Sequence, residues 1–123
     1  MFLEDLTESI IAAAIKVHRT LGPGLLENVY ETCLVHELRK KDIEVKNQIT
    51  LPVIYDNIEM DLGYRLDMLV QDKVIVELKS VEKLLPIHEA QLLSYLKLSR
   101  KQVGLLINFN AIQLRKGIKR FAN

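Results

Sequence analysis

Three charged residues in the most strand-like part of the chain have types and a spacing that could do chemistry. Asp67, Glu77 and Lys79 interrupt the apolar runs of YRLDMLVQDKVIVELKS, the segment 64–80. Carboxylate oxygens are the ligands that Mg²⁺ prefers, and a lysine can offset the charge that develops on a phosphate. The three residues together therefore indicate metal-assisted hydrolysis of a phosphodiester bond.

The two halves of this segment are predicted to pair as a hairpin. Alternate side chains of a strand share a face, and pairing Val70 with Val74 turns the apolar residues of both strands to one side. The same register places Asp67 directly opposite Glu77, where Cβ atoms are about 4.5–5.5 Å apart and two carboxylates repel unless a cation lies between them. Lys79 projects from the face of Glu77. The remaining predicted pairs are Met68 with Val76, Leu66 with Leu78, and Arg65 with Lys79.

A different interpretation of the same pattern is a solvent-facing strand with ordinary ion pairs. Glu77 would then bond Arg65 or Lys79 across or along the strands. Leu69 and Ile75 lie on the same face as the acids and indicate that the acids border a covered cleft. The spacing D-x9-E-x-K leaves both interpretations open.

The helices that must position these residues follow from the 3.6-residue period. Asp5 and Glu8 resemble a capping box at the start of the first helix, and the Gly-Pro-Gly sequence 22–24 ends it. A second helix is predicted over about 25–40. The third follows Pro86, which a first helical turn tolerates, and has the sequence IHEAQLLSYLKLSR.

The strands lie between and after these helices. The apolar run QVGLLINF is typical of a strand that is covered on both faces, and IQLRKGIKRFAN is predicted to form a short edge strand and a tail. The predicted fold class is α/β, in the order α-α-β-β-β-β-α-β, with residues 1–123 as one domain. Before the third helix, strand-like segments occur at about 43–46, 49–55, 58–62, 64–70 and 74–80.

The composition argues against several classes of protein. No apolar run approaches the roughly 20 residues that cross a bilayer, and the N-terminus MFLEDLTESI has no basic n-region of a secretory signal. A single cysteine, Cys33, allows no disulfide framework, and with three scattered histidines it supplies no closed zinc site. A cytoplasmic protein without a membrane partner is expected.

The charge is distributed unevenly along the chain. The first 89 residues carry 16 acids and 10 bases, whereas the last 34 carry seven bases and no acid. Such a basic end suits a polyanion, because Lys and Arg at phosphates release counterions. Solvated surface charge is the alternative explanation. The candidate nucleic-acid-binding residues are Lys97, Arg100, Lys101, Arg115, Lys116, Lys119 and Arg120.

Two further motifs carry a family resemblance. GLLENVY, residues 24–30, has the pattern G-x-x-E-x-x-Y, and QLLSY, residues 91–95, has the pattern Q-x-x-x-Y. Together with the hairpin they resemble the small GxxExxY proteins, a branch of the PD-(D/E)xK nuclease superfamily. The resemblance extends from the first helix to the GLLINF strand. It implies a restriction-endonuclease-like mixed β-sheet flanked by helices, and a nuclease that requires Mg²⁺ or Mn²⁺.

The resemblance also implies a role for particular residues. The chain departs from the superfamily name at Leu66, which occupies the position of the proline, and that position tolerates variation. The implied roles are metal binding for Asp67, Glu77 and the backbone carbonyl of Leu78, metal contact directly or through water for Glu27, and catalysis for Lys79 together with Glu27, Gln91 and Tyr95.

Several of these residues have simpler explanations when each is taken alone. Glu27 lies in a first helical turn, where the helix dipole favours an acid. Tyr30 suits a core contact better than a catalytic role. His88 shares a helical stripe with Gln91 and Tyr95, and it suits either a surface position or a phosphate contact.

The leading hypothesis is a divalent-metal-dependent nuclease that acts on nucleic acid, with DNA favoured. The alternative is a non-catalytic nucleic-acid-binding or protein-interaction module that keeps the nuclease fold. The chain has no recognisable helix-turn-helix or zinc finger, so a lone domain of this kind is expected to contact backbone and shape more than bases. The oligomeric state stays open, with a homo-oligomer among the options.

Overall fold

A computed structural model describes all residues 1–123 of the chain. It contains three α-helices, seven strands and a short 3₁₀ helix, Leu114–Gly117. None of the helices has the length and apolar character needed to cross a membrane. The helices are α1 (Leu3–Leu21), α2 (Glu27–Lys40) and α3 (Pro86–Ser99), and the strands are β1 (Val45–Thr50), β2 (Val53–Tyr55), β3 (Ile58–Met60), β4 (Arg65–Val70), β5 (Val74–Lys79), β6 (Val103–Asn108) and β7 (Ile118–Ala122).

Five of the strands form one mixed sheet in the order β1-β4-β5-β6-β7. Only β5 and β6 are parallel, because α3 connects them as a crossover helix. Strands β2 and β3 form a separate two-stranded hairpin. The predicted mixed α/β class is confirmed, and β7 is the predicted edge strand.

The sheet is covered on both faces. From Met68 onward, the even-numbered residues of β4 and β5, such as Val76, belong to a cluster of 21 buried residues together with α1 and α2. Leu66, at the start of β4, belongs instead to the cluster on the other face. The odd-numbered residues, such as Leu69 and Ile75, belong to a second cluster with α3. Glu77 and Lys79 therefore lie on the α3 face, by the alternation of strand side chains. Asp67 lies beside Glu77, because its N–H donates a hydrogen bond to the Glu77 carboxyl.

Two element boundaries differ from the sequence prediction. The segments 43–46 and 49–55 are predicted as separate strands, but β1 joins the end of the first to the start of the second, and β2 forms the end of the second. The break between β1 and β2 contains Pro52, which has no N–H for a ladder. The chain has five strands before α3 and two after it, so the predicted order with four before and one after is wrong. The predicted capping box is also wrong, because α1 begins at Leu3 and Phe2 caps it without a side-chain hydrogen bond.

Helix α3 approaches the sheet closely at one point. Gly104 of β6 faces Leu92 of α3, and a Cβ at that glycine would lie 2.9 Å from a Leu92 methyl group. The close approach presses the adjacent turn of α3, which carries Tyr95, against the face that holds the acids.

Candidate active site

Asp67 occupies a gap in both ladders of β4. The pairs between β1 and β4 pass from Asn47–Met68 to Ile49–Leu66. The pairs between β4 and β5 end at Met68–Val76. Asp67 is therefore free to use its backbone and side chain on groups other than regular ladder partners.

Asp67 uses this freedom to contact β5. The Leu78 N–H donates a hydrogen bond to Asp67 Oδ2 at 2.8 Å, and the Asp67 N–H donates to Glu77 Oε1 at 3.4 Å. The predicted register between Val70 and Val74 is confirmed. Its predicted continuation is wrong, because the ladder ends at Met68–Val76 and contains none of the expected pairs Asp67–Glu77, Leu66–Leu78 and Arg65–Lys79. The Asp67 carboxylate takes the Leu78 N–H that the ladder would have used.

Glu77 is buried beside Asp67. Only 5% of the residue is exposed. Burial, followed by the hydrogen bond and the charge of Asp67, raises the pKa of Glu77 from 4.5 to about 10, and the positive charge of Lys79 opposes this shift. Glu77 takes part in none of the four ion pairs of the chain. The alternative of a solvent-facing, ion-paired strand is therefore wrong for this residue.

Lys79 is the last residue of β5 and follows Glu77 by two positions. Its side chain is half-buried and forms no ion pair, and its carbonyl accepts a hydrogen bond from the Phe109 N–H at 2.8 Å. Lys79 pairs with Asn108 in the parallel ladder. The backbone of the lysine is thus fixed while its ammonium group remains available to a ligand.

Asn108 fixes the chain just after Lys79, a function that the sequence analysis missed. The residue is 4% exposed. Its Oδ1 accepts from the Val81 N–H at 3.1 Å, and its Nδ2 donates to the Val81 carbonyl at 2.9 Å. The available signal was a polar residue directly after the buried run VGLLI, since buried amides are nearly always hydrogen-bonded.

The GxxExxY segment, residues 24–30, is hydrogen-bonded to the residue that follows Lys79. Tyr30 is fully buried, and its hydroxyl donates to the Gly22 carbonyl at 2.6 Å and accepts from the Leu25 N–H at 3.0 Å. The Ser80 hydroxyl donates to the Leu25 carbonyl at 2.6 Å. These bonds hold the start of α2 against the end of β5. The ring of Tyr30 also stacks on Phe109 at a centroid distance of 4.5 Å, so the expected core contact is confirmed.

Glu27 does not join the acid pair. It is exposed at the first position of α2, two residues beyond the Ser80–Leu25 contact. The chain contains no group of three His, Cys, Asp or Glu side chains placed to hold one ion. The structure therefore brings together Asp67 and Glu77 and leaves Glu27 at the rim.

Helix α3 contributes Tyr95 to the surroundings of the acids. Burial raises the pKa of Tyr95, and the charges of Glu77, Tyr64 and Asp67 add to the shift. Gln91 lies one turn earlier in α3 and is half-buried. His88 has a structural contact, because its Nδ1 accepts from the Leu85 N–H at 3.0 Å at the start of the helix.

The basic residues do not form one surface. Lys119 pairs with Leu106, which pairs with Glu77, so this lysine lies on the face of the acids, two strands away. Its ammonium group meets Glu89 at 2.8 Å. Arg120 belongs to the opposite face. Lys101 bonds Asp72 in the β4–β5 turn, at the far end of the sheet from Lys79. Lys97 and Arg100 lie near that end, and Arg115 and Lys116 lie in the 3₁₀ helix after β6.

The donor groups at the gap fit a divalent cation. Two carboxyl groups meet there, and no positive side chain is paired with either of them. Leu78 lies beyond the last pair of the β4–β5 ladder, and its N–H faces Asp67. A hard cation would offset both causes that raise the pKa of Glu77, its burial and the charge of Asp67 beside it.

Comparison with known families agrees with this architecture. The protein-family model for the PD-(D/E)XK nuclease superfamily matches residues 4–121, and the chain therefore belongs to that superfamily. Nucleases of this superfamily generally use divalent metals. No curated protein and no solved structure gave a significant match.

Proposed function

We propose that the protein is a divalent-metal-dependent nuclease that hydrolyses phosphodiester bonds of nucleic acid, with DNA the favoured substrate. The observation that carries the proposal is the contact between the Asp67 carboxylate and the buried carboxyl of Glu77. Burying two acids side by side is costly, and a structural role would be served better by an ion pair. Membership in the nuclease superfamily supports the same conclusion.

In this proposal Asp67, Glu77 and the Leu78 carbonyl hold Mg²⁺ or Mn²⁺. The bound ion supplies a water of lowered pKa and neutralises charge on the phosphate. Lys79 orients the attacking water and stabilises the same charge, because it projects beside Glu77 and has no competing carboxylate partner. Glu27 contributes through a water molecule, and Gln91 and Tyr95 support the site from α3.

The GxxExxY branch is proposed for this chain on the basis of its N-terminal motif. Gly24 has φ +96°, a conformation that glycine adopts without strain. Tyr30 holds the loop before α2, and Glu27 begins the helix. The three residues of the motif thus have separate positions that a nuclease site could use. We further propose a cytoplasmic setting, because the chain has one free cysteine.

The test is incubation of the protein with single- and double-stranded DNA and RNA, with Mg²⁺, with Mn²⁺ and with a chelator. Asp67→Ala should abolish the metal-dependent cleavage. Asp72→Ala is the matched control, because this exposed acid lies in the β4–β5 turn at the other end of the strands. Cleavage that survives Asp67→Ala, or no cleavage of any substrate, would contradict the proposal.

A further inference from the structure

Tyr64 is the next aromatic residue outward from the acid pair. It immediately precedes β4, and 47% of the residue is exposed. Its ring meets Tyr95 edge to face, with centroids 6.1 Å apart and planes at 63°. Tyr95 is 7% exposed and lies within the electrostatic influence of Glu77. One side of the Tyr64 ring is therefore anchored beside the site, while a large part of it remains open.

The position of Tyr64 is fixed before any ligand arrives. Its carbonyl accepts a hydrogen bond from the Leu51 N–H at 2.8 Å. The preceding Gly63 has φ +83°, and its N–H donates to the Asp61 carboxylate at 3.1 Å. A ring held through its backbone and by an aromatic neighbour loses little conformational entropy when a ligand covers its open part.

The neighbouring side chain favours a nucleotide as that ligand. Arg65 is exposed, its guanidinium lies 3.4 Å from the Gln48 carbonyl, and it takes part in none of the four ion pairs. A fixed aromatic face next to an unpaired guanidinium suits a base and its phosphate, the combination found in sites that bind single strands. Arginine can also contact the base itself through its planar cation.

The geometry points to Tyr64 as a stacking platform for an unpaired nucleobase next to the scissile phosphate, which makes single strands or frayed ends the preferred substrate class. The inference rests on the proposed nuclease function. In a duplex each base is covered by its neighbours, so its face is not available to Tyr64 without unstacking. A single strand offers that face at little cost.

The substitution Tyr64→Leu tests this, because it keeps an apolar side chain and removes the aromatic face. We expect kcat/KM on a short single-stranded DNA to fall about 10-fold, the scale of one lost base–aromatic stack, with less than about 2-fold change on a duplex of the same sequence. Tyr64→Phe should retain activity. Tyr55→Leu is the matched control, because Tyr55 is 70% exposed and lies in the β2–β3 hairpin. The same kcat/KM measurements on single-stranded RNA show whether single-stranded DNA or single-stranded RNA is cleaved faster.

A measurement on the unmodified protein serves if the leucine variant does not fold. The chain has four tyrosines and no tryptophan, so its fluorescence reports on tyrosine alone. In chelator, a single strand with bases should quench this emission, and an abasic strand of equal length should bind about 10-fold more weakly and quench less. Equal binding of the two strands, or equal loss on single strand and duplex in Tyr64→Leu, overturns the stacking role while cleavage itself persists. Absence of cleavage and binding in every strand state overturns the nuclease proposal and this inference with it.

Discussion

The Leu78 N–H donates a 2.8 Å hydrogen bond to the carboxylate of Asp67, and this bond replaces the next rung of the β4–β5 ladder. A side chain has taken the place of a backbone carbonyl, so the regular pairing of β4 with β5 ends where the acids lie. The bond orients Asp67 without the help of a cation. Asp67 also lies beside Glu77, whose pKa is raised by burial and by the hydrogen bond and charge of Asp67.

The raised pKa of Glu77 predicts how the free energy of unfolding depends on pH. Its folded pKa of about 10 exceeds the ordinary value of 4.5, so the folded state binds the extra proton between these limits. Stability from this group is complete below about pH 4.5 and falls as the pH rises toward 10, by at most about 1.4 kcal/mol per pH unit. Glu77→Gln should flatten this decline in metal-free urea denaturation, and Glu82→Gln, an exposed acid, should not. Identical pH profiles for the parent and Glu77→Gln would contradict the burial argument.

Divalent metal should stabilise the protein more at high pH than at low pH. Mg²⁺ must displace the proton of Glu77, so its apparent affinity rises with pH. We expect the Mg²⁺-induced increase in Tm to be larger at about pH 8.5 than at about pH 6, because the stabilisation grows with the logarithm of the affinity for Mg²⁺. The increase should be small in Glu77→Gln. A shift of the same size at both pH values would indicate that the ion binds elsewhere.

The sequence was informative where residue alternation decides the structure. The apolar residues around Asp67 and Glu77 allow one register that buries them, and this register is present. The sequence could not show that the ladder ends at Met68, because a carboxylate and a carbonyl compete for the Leu78 N–H on the basis of local geometry. It also could not show that Glu77 is buried, since burial depends on how closely α3 packs.

Polar contacts between residues far apart in the sequence could not be predicted from the residue pattern either. Asn108 and Val81 are 27 residues apart, and Ser80 and Leu25 are 55 apart. No periodicity links such pairs, because their contact follows from the crossover of α3 and from the packing of α2. The charge asymmetry of the chain predicted a basic surface, but the alternation of β7 directs Lys119 and Arg120 to opposite faces.

Asn108→Ala should destabilise the fold and slow cleavage. The change leaves the Val81 N–H and carbonyl without their partner, at a cost of about 2 kcal/mol. The segment that follows Lys79 is then held less firmly, so cleavage should fall more than the loss of folded protein explains. Asn110→Ala is the control, because only the backbone of Asn110 takes part in this network. Urea denaturation and cleavage rates that match those of Asn110→Ala would refute the positioning role.

Lys119 should contribute to nucleic-acid binding more than Arg120 does. Lys119 lies on the face of the acids, and the neighbouring Arg120 lies on the other face, so the two residues form a matched pair. If Lys119 contacts one phosphate, Lys119→Ala should make the slope of log K against log salt less negative by about 0.7 on a single strand or 0.9 on duplex DNA. Arg120→Ala should leave the slope unchanged. Equal changes in both variants would mean that the basic end acts only through its total charge.

Lys79→Ala separates catalysis from metal binding. Lys79 is not a metal ligand in the proposed site, so the variant should keep the Mg²⁺-induced shift in Tm. Cleavage should fall about 10²-fold or more, the usual scale for one electrostatic catalytic contact. Lys79→Arg should restore little, because a planar guanidinium does not reproduce the compact ammonium group. Loss of the thermal shift would indicate that Lys79 helps to hold the ion. Cleavage at the parent rate would indicate that the reaction takes place at another site of the molecule. Retained metal binding with lost cleavage is the outcome that a working nuclease site requires.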